Sequence, residues 1–194
     1  MMANKSLFNI VVLVSGSGSN LQSIIDNAGD IGIKIQLVIS NKSGVFALKR
    51  AQKSGIETEF IDHNNFQSRE DFDQELINRI NKINPKLVVL AGFMRILSTD
   101  FITAFKGKII NIHPSLLPKF KGLNTHQRAI DSGEKFAGAS VHFVDNKLDS
   151  GTIILQQKVA IEKTDSAKTL AAKVLKQEHI LYPKAIKKVL ANEI

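Results

Sequence analysis

The chain has 194 residues, 43% of them apolar, and a formal charge of +8. That length and apolar share suit a buried core within one domain over residues 1–194, while the absence of cysteine excludes disulfides, thiolate catalysis and Cys-type zinc sites and is compatible with a reducing, cytoplasmic setting. No apolar run reaches the length of a membrane span, and the lysines are scattered without a basic tract or aromatic interleaving, so the charge reads as a solvated surface that favours anionic small molecules over nucleic acid.

Apolar runs bounded by turn residues recur along the chain. Phe8–Val14 is a nearly continuous apolar strand; it is too short for a span, and Gly and Ser follow it where a signal peptide would have a cleavage site. A helix is expected over Asn20–Ala28, then strands at Ile33–Ile39 and Ile56–Ile61. Ser68–Ile83 carries Phe72, Leu76, Ile80 and Ile83 on one stripe, and Ser68 with Asp71 makes a capping-type start. Strands follow at Leu87–Ala91 and Lys108–His113, then a helix at Thr125–Ser132 closed by Gly133. Ala139–Val144 and Thr152–Val159 are strands with no helix between them, and a last helix starts near Ser166, with Pro183 expected to kink or restart it. Early strand–helix alternation with a late strand pair implies an α/β fold with an open, mixed sheet, whose ligands lie beyond the carboxyl ends of the strands.

The loop after the first strand reads Ser15-Gly16-Ser17-Gly18-Ser19-Asn20-Leu21. It is neither a P-loop, since no Gly-Lys-Ser/Thr follows, nor a full dinucleotide fingerprint, since Leu21 holds the third glycine position. It fits a monophosphate cradled by backbone N–H groups at a helix start, or else a tight turn that caps the helix.

Lys108-Ile109-Ile110-Asn111-Ile112-His113-Pro114 is the most informative stretch. On a strand Asn111 and His113 share a face opposite Ile110 and Ile112, and Pro114 keeps His113 extended. An amide that can donate to an oxyanion and an imidazole that can carry protons then project together at a strand end. The alternative is a hydrogen-bonded Asn and a His satisfied by backbone. Asp149, in Asp145-Asn146-Lys147-Leu148-Asp149-Ser150-Gly151, is either turn chemistry or a carboxylate that pairs with His113. His142 lies inside a strand and reads as structural or as support for the site, and no histidine spacing suggests a metal.

Through Val11–Leu21, Ala91-Gly92-Phe93-Met94-Arg95-Ile96-Leu97, Asn111–Pro118, Ser140–Val144, Leu148–Gly151 and Gln177-Glu178-His179, the chain resembles the phosphoribosylglycinamide formyltransferases, a folate-dependent formyltransferase family of purine synthesis. The resemblance implies a Rossmann-like, mostly parallel sheet of about seven strands with flanking helices. It implies transfer of a formyl group from 10-formyltetrahydrofolate, as cosubstrate, to the amine of 5-phosphoribosylglycinamide, with no metal. By the same resemblance Asn111, His113 and Asp149 are catalytic. Gly18, Ser19 and Asn20 hold the ribonucleotide phosphate, with Glu178 on the substrate side. Arg69, Met94, Arg95, Ile96 and Leu97 contact folate, and Asp145, Asn146, Lys147 and Leu148 close on it. Two positions depart from the family pattern: Leu175 stands where a polar residue is common, and Lys121 where proline is common. Methionyl-tRNA formyltransferase and formyltetrahydrofolate deformylase are the related alternatives, each normally carrying an extra domain for which this chain is not expected to have room. A non-catalytic nucleotide- or RNA-binding α/β module is the alternative from another class, suggested by charge alone.

Overall fold

The computed structural model describes residues 7–191. Its strands are β1 (Phe8–Val14), β2 (Ile33–Ser40), β3 (Thr58–Phe60), β4 (Leu87–Leu90), β5 (Ile109–His113), β6 (Phe136–Phe143) and β7 (Ile153–Ala160). Its helices are α1 (Ser19–Asp26), α2 (Ala28–Ile31), α3 (Phe46–Lys53), α4 (Arg69–Ile83), α5 (Thr99–Ala104), α6 (Thr125–Asp131) and α7 (Ala167–Ala191). The strands form one seven-stranded sheet in the order β3-β2-β1-β4-β5-β6-β7. It is parallel from β3 to β5 and antiparallel at β5–β6 and β6–β7. None of the described helices is long and apolar enough to cross a membrane.

Alternation along the central strands divides the core in two. Ile10, Val12, Val14, Leu87, Val89, Ile110 and Ile112 face one layer with α1, α6 and α7; Val11, Leu13, Val88, Leu90 and Ile109 face the other with α4 and α5. In β2 the pairing shifts by one residue between Ile10 and Val11, leaving Gln36 without a counterpart. This bulge inverts the parity, so Ile33 and Ile35 face the first layer while Leu37 and Ile39 face the second.

The strand expectations hold with shifted ends: β3 is shorter than Ile56–Ile61, and β6 begins earlier than Ala139. Three helices give too weak a periodic signal to be read, the four-residue α2 among them. In α3 only Ala47 and Ala51 are buried, and in α5 only Phe101. The last helix does not restart at Pro183; one helix continues through it. Tyr182, Pro183, Ala185 and Ile186 are buried together, so packing holds the chain helical although Pro183 offers no N–H. Ser68 caps α4 as its sequence implies, its hydroxyl accepting from Asp71 N–H.

Tyr182, fully buried, donates its hydroxyl to Leu90 O at 2.9 Å and lies 3.2 Å from Ile110 O, tying α7 to β4 and β5. Tyr182→Phe keeps the ring and removes this tie. It is expected to destabilise by about 1–3 kcal/mol, measured as a lower denaturation midpoint at unchanged m-value; an unshifted midpoint would make the tie inconsequential.

Candidate active site

The chain order reverses between β1 and β4, the crevice where such sheets bind ligands. One hydroxyl joins three loops there. Ser15 Oγ accepts Met94 N–H at 2.8 Å and donates to Asn41 Oδ1 at 2.6 Å, while Ser15 N–H donates to Gly92 O at 3.0 Å.

Gly18 precedes α1 with φ 72°. A Cβ there would lie 2.6 Å from both Cα and Cβ of Ala47, so glycine is required first by the packing of α3 on the loop. No side chain caps α1, which leaves its opening N–H groups for a ligand. Arg50 of α3 braces the loop, donating from Nε to Ser17 O at 3.0 Å and from Nη1 to Gln22 Oε1 at 3.2 Å. A cavity of about 340 Å³ lies alongside, lined in part by Ser19, Ser23, Arg50 and His179. Gly18→Val is therefore expected to lower thermal stability and to raise the Michaelis constants for both substrates together. A normal melting temperature with one Michaelis constant raised would place Gly18 against ligand alone.

Asn20 and Glu178, far apart in sequence, meet: Asn20 Nδ2 donates to Glu178 Oε2 at 2.7 Å, and Asn20 Oδ1 is buried without a partner. Glu178 continues the apolar stripe Leu170, Val174, Leu181 of α7 and is 7% exposed. Burial pushes its carboxyl above the usual range, opposed by the Asn20 hydrogen bond and the charge of His113. A raised folded pKa means that the folded protein keeps a proton the unfolded chain has released, so this group's stability contribution falls as pH rises through that window and stays reduced above it. Glu178→Gln is accordingly expected to melt no lower than the parent at pH 7.5 while its affinity for the phosphorylated substrate falls about tenfold or more. A lower melting temperature with intact affinity would make Glu178 a structural residue.

The three residues expected to be catalytic converge. His113 Nδ1 lies 3.4 Å from Asp149 Oδ2, both side chains 8% exposed. His113 Nε2 is 2.9 Å from Phe120 O. Both ring nitrogens thus face acceptor oxygens. The Nδ1 contact is an ion-pair distance, longer than the Nε2 contact. Asp149 has φ 47°, and its Oδ2 also accepts Gly122 N–H at 2.9 Å. Asn111 is half-buried, its Nδ2 3.3 Å from His142 Nε2.

His142 thereby joins the site, its Nε2 also 3.7 Å from Asp149 Oδ1. Burial, aided by the charge of His113, lowers its pKa against the Phe143 carbonyl and Asp149. The neutral ring donates from Nδ1 to Phe143 O at 2.8 Å and so presents an Nε2 lone pair to Asn111. This orients the Asn111 amide and leaves its other N–H for a ligand. The sequence could not show it, because the contact depends on the antiparallel pairing of Asn111 with His142.

The residues expected to touch folate form a more open rim. Met94 and Ile96 are exposed, Leu97 is buried, and Arg95 rests over the Phe72 ring with its buried Nε unpartnered. Asp145, Asn146, Lys147 and Leu148 are exposed, and Asp145 Oδ1 is turned back onto Lys147 N–H. Arg69 stands exposed at the start of α4, paired with Glu70 at 2.8 Å, and is not drawn into the cluster. Leu175 is half-buried. Lys121, which stands where proline is common, reaches Ser150 Oγ at 2.5 Å.

Residues 8–186 match the formyl transferase family. The chain is 50% identical over 180 residues to the phosphoribosylglycinamide formyltransferase of Escherichia coli strain K12, covering 92% of this chain and 85% of that protein. It is 46% identical over 180 residues to that of Haemophilus influenzae, covering 92% and 85%. A crystal structure of glycinamide ribonucleotide transformylase 1 from Symbiobacterium toebii superposes with TM-score 0.93 at 40% identity, covering 96% of this chain and 89% of that one.

Proposed function

The chain belongs to the formyl transferase family, and on that footing we propose that it moves the formyl group of 10-formyltetrahydrofolate onto the amine of 5-phosphoribosylglycinamide. The observation that carries the reading is the meeting of Asn111, His113 and Asp149 at a strand end, beside an uncapped helix start and the buried Asn20–Glu178 pair. The phosphate takes the N–H groups of Ser19 and Asn20, and Glu178 with Asn20 receives polar groups between phosphate and amine. Exposed Met94, Ile96 and Leu148 offer apolar contact to the folate, and the unpartnered Nε of Arg95 offers it a donor.

With the substrate anchored at its remote end, its amine is held for attack on the formyl carbon. The new C–N bond pushes the carbonyl electrons onto oxygen. Asn111 donates its free amide N–H to that oxyanion, and His113 supplies the charged N–H. Asp149 holds the imidazolium and orders a water that takes the proton from the attacking nitrogen and returns it to the departing folate nitrogen as the C–N bond to folate breaks. Products are the formylated amide and tetrahydrofolate.

The test is formyl transfer by the purified chain to 5-phosphoribosylglycinamide, measured beside transfer to methionyl-tRNA. The ribonucleotide is expected to be the only acceptor, and the reverse ranking would identify the tRNA enzyme instead. His113→Ala is expected to lower turnover by about a hundredfold or more while both substrates still bind. Near-normal turnover in a folded variant would remove His113 from the chemistry.

A further inference from the structure

Phe120, Lys121, Gly122 and Leu123 bind the site from outside the residues just assigned to it. Phe120 O faces His113 Nε2 at 2.9 Å, and Gly122 N–H donates to Asp149 Oδ2 at 2.9 Å. One short segment therefore sets the far end of the imidazole and one oxygen of the carboxylate that faces its near end. Phe120 and Asn124 adopt left-handed φ of 55° and 56°, so the segment needs outside support to keep this shape. Arg128 of α6 supplies it. Its Nη1 donates to Lys121 O at 2.6 Å and lies 3.3 Å from Leu123 O, and its guanidinium stands 5.5 Å over the Phe120 ring. From the other side, Lys121 Nζ donates to Ser150 Oγ at 2.5 Å, joining the segment to the residue after Asp149.

We infer that Arg128, with the Lys121–Ser150 bridge, is a positioning device for the His113–Asp149 pair, acting through Phe120 O and Gly122 N–H. The inference rests on the formyl-transfer reading, and Arg128 acts through the Phe120–Leu123 segment rather than on the reacting atoms. A guanidinium suits the task because the two N–H groups of Nη1 can meet two carbonyls of one bent segment while its face covers an aromatic ring. Arg128 is itself solvent-exposed, so its replacement removes these contacts without opening the core.

In Arg128→Gln, kcat is expected to fall about tenfold or more while both Michaelis constants stay within about twofold. The same substitution in an Asp149→Asn background is expected to change kcat by less than about twofold, because the ion pair it positions is already broken. Lys121→Met and Ser150→Ala are each expected to lower kcat by a smaller, equal factor, with no further loss in the double variant. The His113 ring nitrogen resonances should move in Arg128→Gln, a readout that needs no activity. Unchanged kcat in Arg128→Gln of an active parent, or an undiminished loss in the Asp149→Asn background, overturns the inference and leaves the formyl-transfer reading standing. A parent that fails to formylate the ribonucleotide overturns that reading instead, and unmoved His113 resonances then overturn the inference as well.

Discussion

Asn111 pairs with Leu90 on one side of β5 and with His142 on the other, and the site depends on that register. The strand holds Ile110 and Ile112 in one core layer, which obliges Asn111 and His113 to face the opposite side. A slip of one residue would drive the amide and imidazole into the apolar layer and bring two isoleucines to the site. Hydrophobic burial along β5 thus also decides which way its polar groups project, and the hydrogen bonds around them set the finer orientation.

The parts of the molecule legible in the sequence are those whose signal is local. The nearly continuous apolar runs Phe8–Val14 and Leu87–Ala91, the Pro114 that follows His113, and the glycines before Asn20 each act within a few residues, and each predicts its element. The glycine loop reads in sequence as a phosphate cradle or a tight capping turn, whereas the nearest constraint on Gly18 is Ala47 of α3. What stayed hidden depends on separation. His113 and Asp149, Asn20 and Glu178, and Asn111 and His142 meet only once strand order and register exist, and neither is encoded in any one window. Backbone partners such as Phe120 O and Gly122 N–H leave no trace in residue type at all, and α3 escaped because two alanines make no apolar stripe.

The site sets titratable groups against their preferred states on both sides. Glu178 takes a position in α7 where the stripe calls for leucine, and burial disfavours its charge. His142 is held neutral by burial so that it accepts rather than donates toward Asn111. Each residue works against stability in favour of a defined hydrogen-bond polarity, a conflict typical of places where local chemistry departs from what the fold alone would select.

Glu178 precedes Tyr182 by four residues, about one helical turn, so the two side chains stand one above the other along α7. The Tyr182 hydroxyl is fastened to the carbonyls of Leu90 and Ile110, in the two strands that lead directly to Met94 and to Asn111. The helix therefore cannot slide along its axis without breaking contact with those strands. This makes α7 a gauge block: the separation between the Glu178 carboxylate and the strands that carry Met94 and Asn111 is set by a single mechanical reference.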